Sequence, residues 1–159
     1  MPSLLLKEAV IIWFGNAMQA ASRLIFRIIK IAFYGLLLTE ATLMIVLAQL
    51  MIKFIPFRRY SHWLQSMNGR EIAPELFALR LQRVIKIVGK LLPWEALCFP
   101  RAISAKAMLA RRGYASVLTL GVADVQGAMK AHAWLAAGEI IVSGREGRED
   151  FHDLAHFGR

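Results

Sequence analysis

The stretch that decides the fold is Pro93–Val122, PWEALCFPRAISAKAMLARRGYASVLTLGV, together with Lys130–Trp134, KAHAW. The only cysteine of the chain, Cys98, stands just before a helical pattern. Pro100 suits the first turn of a helix, where the N–H that it lacks has no helical partner. Gly113 follows the last residues of the pattern and acts as a helix stop. The pattern therefore predicts a thiol at a helix N-terminus, where unpaired N–H groups and the helix dipole stabilise a thiolate.

A histidine completes this arrangement. His132 lies in a run that alternates as a strand does. A histidine near a cysteine thiol accepts the thiol proton and later donates a proton to the leaving group. A single cysteine without such a context is more often a small buried hydrophobic residue, so the helix-start position is the feature that favours a nucleophile.

The hydrophobic period predicts an α+β fold. A helix is expected from Pro74 to Pro93, and the Cys98 helix follows it. Beyond Gly113 the period changes to two, which predicts an antiparallel meander packed on the Cys98 helix. Its strands are expected at residues 115–122, 128–136 and 139–143, and the tail, 145–159, is expected to be irregular.

At these residues the chain resembles the leader peptidases of lasso-peptide biosynthesis, the stand-alone protease half of the B protein in a transglutaminase-like cysteine protease superfamily. The resemblance covers about residues 36 to 157. It is carried by Cys98, the Arg111-Arg112-Gly113 helix end, the L-x-x-G-V pattern of residues 118–122, and Ala131-His132-Ala133-Trp134. It implies a transglutaminase/papain-like core behind N-terminal helices, with Cys98 as nucleophile and His132 as base.

The resemblance also implies partners. The substrate would be a ribosomally made precursor peptide, whose leader is cleaved off. A macrolactam-forming cyclase would then join the freed N-terminus to an acidic side chain. Some relatives carry a fused winged-helix module for leader recognition, whereas residues 1–35 here are apolar and helical in pattern. A separate leader-recognition protein is therefore implied, and no cofactor.

The third catalytic residue does not follow the family pattern. Relatives carry an acid on the strand after the histidine, but the Ala137-Gly138 turn is expected to bring Val142 or Ser143 opposite His132. Ser143 is the predicted orienting position. Glu139, Glu146, Asp150 or a backbone carbonyl are the alternatives.

Five further side chains are candidates for a role. Trp134 shares a strand face with His132, so it either packs beneath the site or lines the substrate groove. Lys106 and Arg101 lie on the Cys98 helix and are expected to be solvated. No metal site is predicted: His152 and His156 could share a helix face, but no third ligand stands near them.

Composition limits the partners. Residues 1–113 contain 16 basic and 5 acidic residues, a net charge of +11, whereas 114–159 contain 4 and 6, a net charge of −2. A basic, apolar front half suits an anionic membrane surface or an acidic peptide. Nucleic acid is not expected, because no nucleic-acid-binding motif is present. A lone cysteine fits a reducing, cytoplasmic setting.

The N-terminal region leaves two interpretations open. Residues 1–35 are predicted to be an apolar helical extension and 36–159 the peptidase domain. Residues 31–52 are long enough to cross a bilayer, although Glu40 near the middle is costly there; the resemblance places them in the soluble domain. The protein is thus expected in the cytoplasm, with membrane association through its N-terminus. The alternative functions are a transglutaminase-like acyltransferase and a non-catalytic helical membrane protein.

Overall fold

A computed structural model describes residues 2–67, 69–92 and 98–158. Their side chains are described as well, except for those of residues 2–18, 20 and 21. The helices are α1 (Pro2–Phe54), α2 (Phe57–Ser66), α3 (Glu75–Leu91) and α4 (Cys98–Ala110). The strands are β1 (Val117–Val125), β2 (Ala128–Ala137), β3 (Ile140–Ser143) and β4 (His152–Phe157). A 3₁₀ turn, Arg148–Asp150, precedes β4. The α+β class predicted from the sequence is confirmed.

The strands form one antiparallel sheet in the order β3-β2-β1-β4. Helix α4 packs on β2 and β3, and α3 packs on β3. The prediction of an irregular tail is wrong, because β4 pairs with β1 as a fourth, edge strand. Its side chains are mostly exposed, and for this reason the tail lacks the apolar alternation that marks a half-buried strand.

The ends of the helices follow their local sequence signals. Helix α3 begins directly after Pro74 and ends at Leu91; Pro93, expected to end it, lies outside the described residues. Helix α4 begins at Cys98, as predicted. It ends at Ala110, and Gly113 follows with φ of 80°, the left-handed conformation that glycine adopts without strain.

The chain divides into two compact units, Met1–Leu36 and Leu37–Arg159. The first is helical, and its described side chains from Ser22 to Phe33 are exposed. The second holds α2 to α4, the sheet and residues 37–54 of α1.

Residues 37–54 form a core helix of the second unit. Leu37, Ala41, Ile45 and Ala48 are at most 5% exposed and follow one face of the helix. Glu40, the carboxylate that would be costly in a bilayer, accepts hydrogen bonds from Arg112 at 2.6 Å and 3.0 Å. These bonds hold the pKa of Glu40 below its usual value. The contacts agree with the soluble-domain interpretation of this stretch.

One long segment still has the composition of a membrane helix. Ser22–Phe54 is long and apolar enough to cross a bilayer, although only length and composition support this, and a soluble core helix passes the same test.

Candidate active site

Cys98 is the first residue of α4 and is partly exposed. The first four N–H groups of a helix have no partner within it, so backbone donors and the positive end of the helix dipole surround the thiol. Pro100, Ala102 and the seven residues that follow are buried. The start of α4 is therefore fixed by the packing of the helix that carries it.

His132 lies on β2, opposite Gly121 of β1, and is partly buried. Its Nε2 is 3.0 Å from the carbonyl oxygen of Gly144. A carbonyl oxygen only accepts hydrogen bonds, so Nε2 carries the proton in this bond. The neutral ring then has its lone pair on Nδ1, which is the nitrogen that can accept the thiol proton.

The sequence-based register between β2 and β3 is wrong. Ser143 lies opposite Leu135, and not opposite His132. The register also shifts between Leu135 and Ala136, a β-bulge that turn length does not predict. Strand β3 ends at Ser143, so His132 lies beyond its pairing and meets the loop that follows. Whether Ser143 acts on His132 stays a prediction.

That loop approaches β2 at Gly144, which has φ of 75°. A Cβ on Gly144 would collide with the carbonyl oxygen of Ala133 and would lie 2.8 Å from Cα of Trp134. Only glycine fits both this conformation and this approach. The residue thus delivers its carbonyl group to His132, and it does so through backbone geometry. Among the alternatives for the group that orients His132, the hydrogen bond to Gly144 supports a backbone carbonyl.

Two aromatic rings contact the imidazole. The ring centroids of His132 and Phe151 are 5.1 Å apart, and those of His132 and Trp134 are 6.0 Å apart. Trp134 is 5% exposed, and the Arg148 guanidinium lies over its ring. A buried ring of this kind favours packing beneath the site; a role for Trp134 in substrate binding stays a prediction. Phe151 and Gly144 are site residues that the sequence-based predictions missed.

Cys98 and His132 line the same cavity, which has a volume of about 610 Å³. Helix α3 forms one wall, and residues 141–146 form another. Among the described residues, five basic side chains line it, against one carboxylate, that of Glu146. They are Arg83, Lys86, Lys90, Arg101 and Arg145.

Arg101 is fixed beside the thiol by α3. Its guanidinium donates to the carbonyl oxygen of Gly89 at 2.8 Å, and a Cβ at position 89 would collide with the guanidinium. Glycine inside a helix costs about 1 kcal/mol relative to alanine. Gly89 leaves space for the Arg101 guanidinium, and this packing accounts for a glycine within α3. Arg101 is partly buried, so the expectation that it is solvated holds only in part.

The same expectation is wrong for Lys106. Its side chain is fully buried, and its Nζ donates to the carbonyl oxygen of Ser116 at 2.9 Å. Burial lowers the pKa of Lys106 to about 8, because an ammonium group loses hydration in the interior. No local signal predicts this burial, since Lys106 is one of only two basic residues on α4 and a lysine in such a helix usually reaches solvent.

The histidines of the tail do not share a helix face. His152 and His156 lie on β4, where His156 contacts Thr119 at 3.1 Å. Within the described ranges, no group of three or more histidine, cysteine or acidic residues is placed to hold a metal ion.

Comparison with known families decides the class. A family model of the transglutaminase-like superfamily matches residues 41–156, about three quarters of the chain. The protein belongs to the transglutaminase-like superfamily. Searches of curated proteins and of solved structures found no match. The match includes Cys98 and His132 and begins within the core helix that contains Glu40.

Proposed function

We propose that this protein is a cysteine peptidase that removes the leader from a ribosomally made precursor peptide during lasso-peptide maturation. One observation carries the chemistry: a thiol at a helix start and an imidazole held through Nε2 line one cavity in a member of this superfamily. The substrate class rests on the resemblance of the Cys98 and His132 motifs to lasso-peptide leader peptidases. A separate leader-recognition protein and a cyclase are the proposed partners.

In the proposed mechanism, Nδ1 of His132 takes the proton of the Cys98 thiol. The thiolate attacks the scissile carbonyl carbon, and the backbone N–H of Cys98 stabilises the oxyanion. The imidazolium then protonates the leaving amine, and the C–N bond breaks to leave a thioester. Water, deprotonated by His132, attacks the thioester and releases the carboxylate and the thiol. The Gly144 carbonyl keeps a proton on Nε2 throughout, so that Nδ1 is the nitrogen that takes up and releases the proton.

The test combines the full-length protein, a leader-recognition protein and a lasso-type precursor peptide, and weighs the products. Hydrolysis gives two fragments whose summed mass exceeds the precursor by one water. A product joined to an added amine would identify an acyltransferase instead. Cys98→Ala and His132→Ala should each lower the cleavage rate by at least about 10³-fold, with circular dichroism unchanged. Near-normal turnover by folded Cys98→Ala would exclude this mechanism.

We also propose that residues 1–35 form an extension that binds a membrane surface and that residues 36–159 form the peptidase domain. The extension exposes Leu24, Ile25 and Phe26 beside the basic residues Arg23 and Arg27, a pattern typical of interfacial helices. Deleting residues 2–30 should abolish binding to anionic vesicles and leave the cleavage rate per folded molecule, measured in detergent, within about threefold. A folded, monodisperse truncated protein that does not cleave would contradict this division.

A further inference from the structure

The walls of the cavity carry an excess of positive charge. Arg83, Lys86 and Lys90 come from successive turns of α3 and line the same cavity. Arg101 comes from α4, one turn after Cys98, and Arg145 directly follows the residue that binds His132. Cations from three separate segments therefore border both reacting side chains.

Three of these cations are exposed and have no carboxylate partner in the part of the chain that the structure describes. Lys86 is paired with Glu146 at 2.9 Å, and Arg101 donates to the Gly89 carbonyl group. Within residues 2–67, 69–92 and 98–158, Arg83, Lys90 and Arg145 form no ion pair with a carboxylate. These three are exposed, so an incoming anion can reach them.

The cations around the cavity lower the pKa of Glu146, the carboxylate that lines it. The hydrogen bond from Lys86 and its charge lower the pKa of Glu146, and the charges of Lys90 and Arg101 act in the same direction. Glu146 is 87% exposed and is paired with Lys86, so it offsets one of the five described cations. A second carboxylate, brought by a ligand, would enter a field that is still positive.

The shape of the site favours a peptide as the source of that carboxylate. The cations surround a concave cavity that contains the thiol, whereas a membrane surface or a duplex nucleic acid needs a protruding or extended basic face. A substrate chain that occupies this cavity would lie between α3 and residues 141–146. Its side chains next to the scissile bond would therefore lie among the cations.

We propose that this cavity selects peptides that carry an acidic side chain beside the scissile bond, which Lys90 and Arg145 bind together with Arg83. The proposal rests on the proposed function only in taking a peptide as the substrate. The net charge of residues 1–113 indicates only that some acidic partner is favoured. The cavity instead assigns the preference for acidic peptides to three named side chains.

The first experiment uses the single thiol as a probe of its surroundings. Cys98 of the full-length protein is alkylated at pH 7 and low salt with iodoacetate, an anion, and with iodoacetamide, its neutral counterpart. We expect the iodoacetate-to-iodoacetamide rate ratio to exceed that of a free cysteine derivative by about tenfold and to fall with added salt. Lys90→Gln/Arg145→Gln should reduce the ratio at least threefold. A ratio equal to that of the free thiol would overturn the proposal.

A matched control separates local from overall charge. Lys53→Gln/Arg70→Gln also removes one lysine and one arginine, and both residues are exposed outside the cavity. This double variant should keep the wild-type ratio. Equal effects of the two double variants would show that overall charge, and not the cavity, attracts the anion.

The second experiment tests selection of a peptide. Two capped hexapeptides, one with a central Glu-Glu pair in alanine and one with Gln-Gln, compete with iodoacetamide for access to Cys98. The acidic peptide should protect the thiol at about tenfold lower concentration, and Lys90→Gln/Arg145→Gln should remove most of this difference. Faster reaction with iodoacetate but equal protection by the two peptides would contradict peptide selection. Neither experiment requires cleavage, so a failure here is distinct from a failure of the proposed function.

Discussion

Cys98 and His132 line one cavity, but different kinds of contact hold them in position. Cys98 is placed by the start of its own helix, of which Pro100 and residues 102–109 are buried in the core. His132 is held by the carbonyl group of Gly144, 12 residues further along the chain, and by the ring of Phe151. The difference shows that the nucleophile side of the site depends on local sequence, whereas the base side depends on tertiary contacts of a loop.

This contrast predicts that the base side is the more sensitive to changes outside the reacting residues. The Cys98 helix is supported over its whole buried length, so one altered neighbour leaves it in place. The imidazole depends on a few contacts. Variants that leave both reacting side chains intact can therefore test the contrast.

The largest effect is expected for Gly144→Ala. The added Cβ collides with the Ala133 carbonyl group in a backbone conformation with φ of 75°, so the loop must shift and its carbonyl group leaves His132. We expect kcat for precursor cleavage to fall about 100-fold, the usual consequence of misplacing a catalytic group by about 1 Å. KM should rise less than kcat falls, because Arg83 and Lys90 remain in place on α3, although Arg145 lies next to the shifted residue.

The control for this variant is Gly127→Ala, at a β-turn glycine with φ of 79° and no atom within 4 Å of the added Cβ. It imposes comparable backbone strain away from the site. If the two variants are equally stable to urea and equally active, His132 does not depend on the Gly144 carbonyl group.

The nucleophile side of the site could be predicted from the sequence more completely than the base side. Pro100 and Gly113 mark the Cys98 helix, and both of its ends were predicted correctly, because helix ends depend on residues within a turn or two. Strand β1 extends to Val125, beyond the expected Val122, because the turn begins only at Gln126. The Asp124 side chain, at the end of β1, accepts the Gly127 N–H at 2.8 Å across this turn.

The base side could not be predicted in the same way. The bulge between Leu135 and Ala136 depends on how β2 pairs with β3, and no residue there is a bulge signal. The tail forms β4 as an exposed edge strand, which has no hydrophobic periodicity. Gly144 could have been noticed as a glycine directly after a strand, which often marks a close backbone approach. Its bond to His132, however, follows from the tertiary fold.

A smaller effect is expected for Ser143→Ala, the change at the position that the sequence pattern indicated as the orienting residue. Ser143 faces Leu135 in the pairing of the strands, and His132 Nε2 donates its hydrogen bond to the carbonyl oxygen of Gly144. We expect cleavage to fall about tenfold or less, well below the roughly 10⁴-fold loss that follows replacement of the triad acid in a serine protease. A loss of several hundredfold in a folded Ser143→Ala protein would make Ser143 the third catalytic residue.

The smallest effect on turnover is expected for Lys106→Met, which tests the nucleophile side. Lys106 is buried on α4, eight residues after Cys98, and its amine does not line the cavity. Cleavage at pH 7 should therefore stay within about threefold of wild type. The expected change is instead in the pH dependence of the free energy of unfolding.

Burial lowers the pKa of Lys106 from 10.5 to about 8. Below pH 8 the amine is charged in both states, whereas between pH 8 and 10.5 it is neutral when folded and charged when unfolded. The unfolded state then binds more protons, so stability rises with pH. Urea unfolding at pH 7 and pH 10 should show wild type gaining about 2 to 3 kcal/mol relative to Lys106→Met. Replacement of an exposed lysine, Lys130→Met, is the control: wild type should gain no stability relative to this variant between pH 7 and pH 10. If wild type also gains none relative to Lys106→Met, Lys106 is solvated, and α4 is less firmly packed than the contrast between the two sides requires.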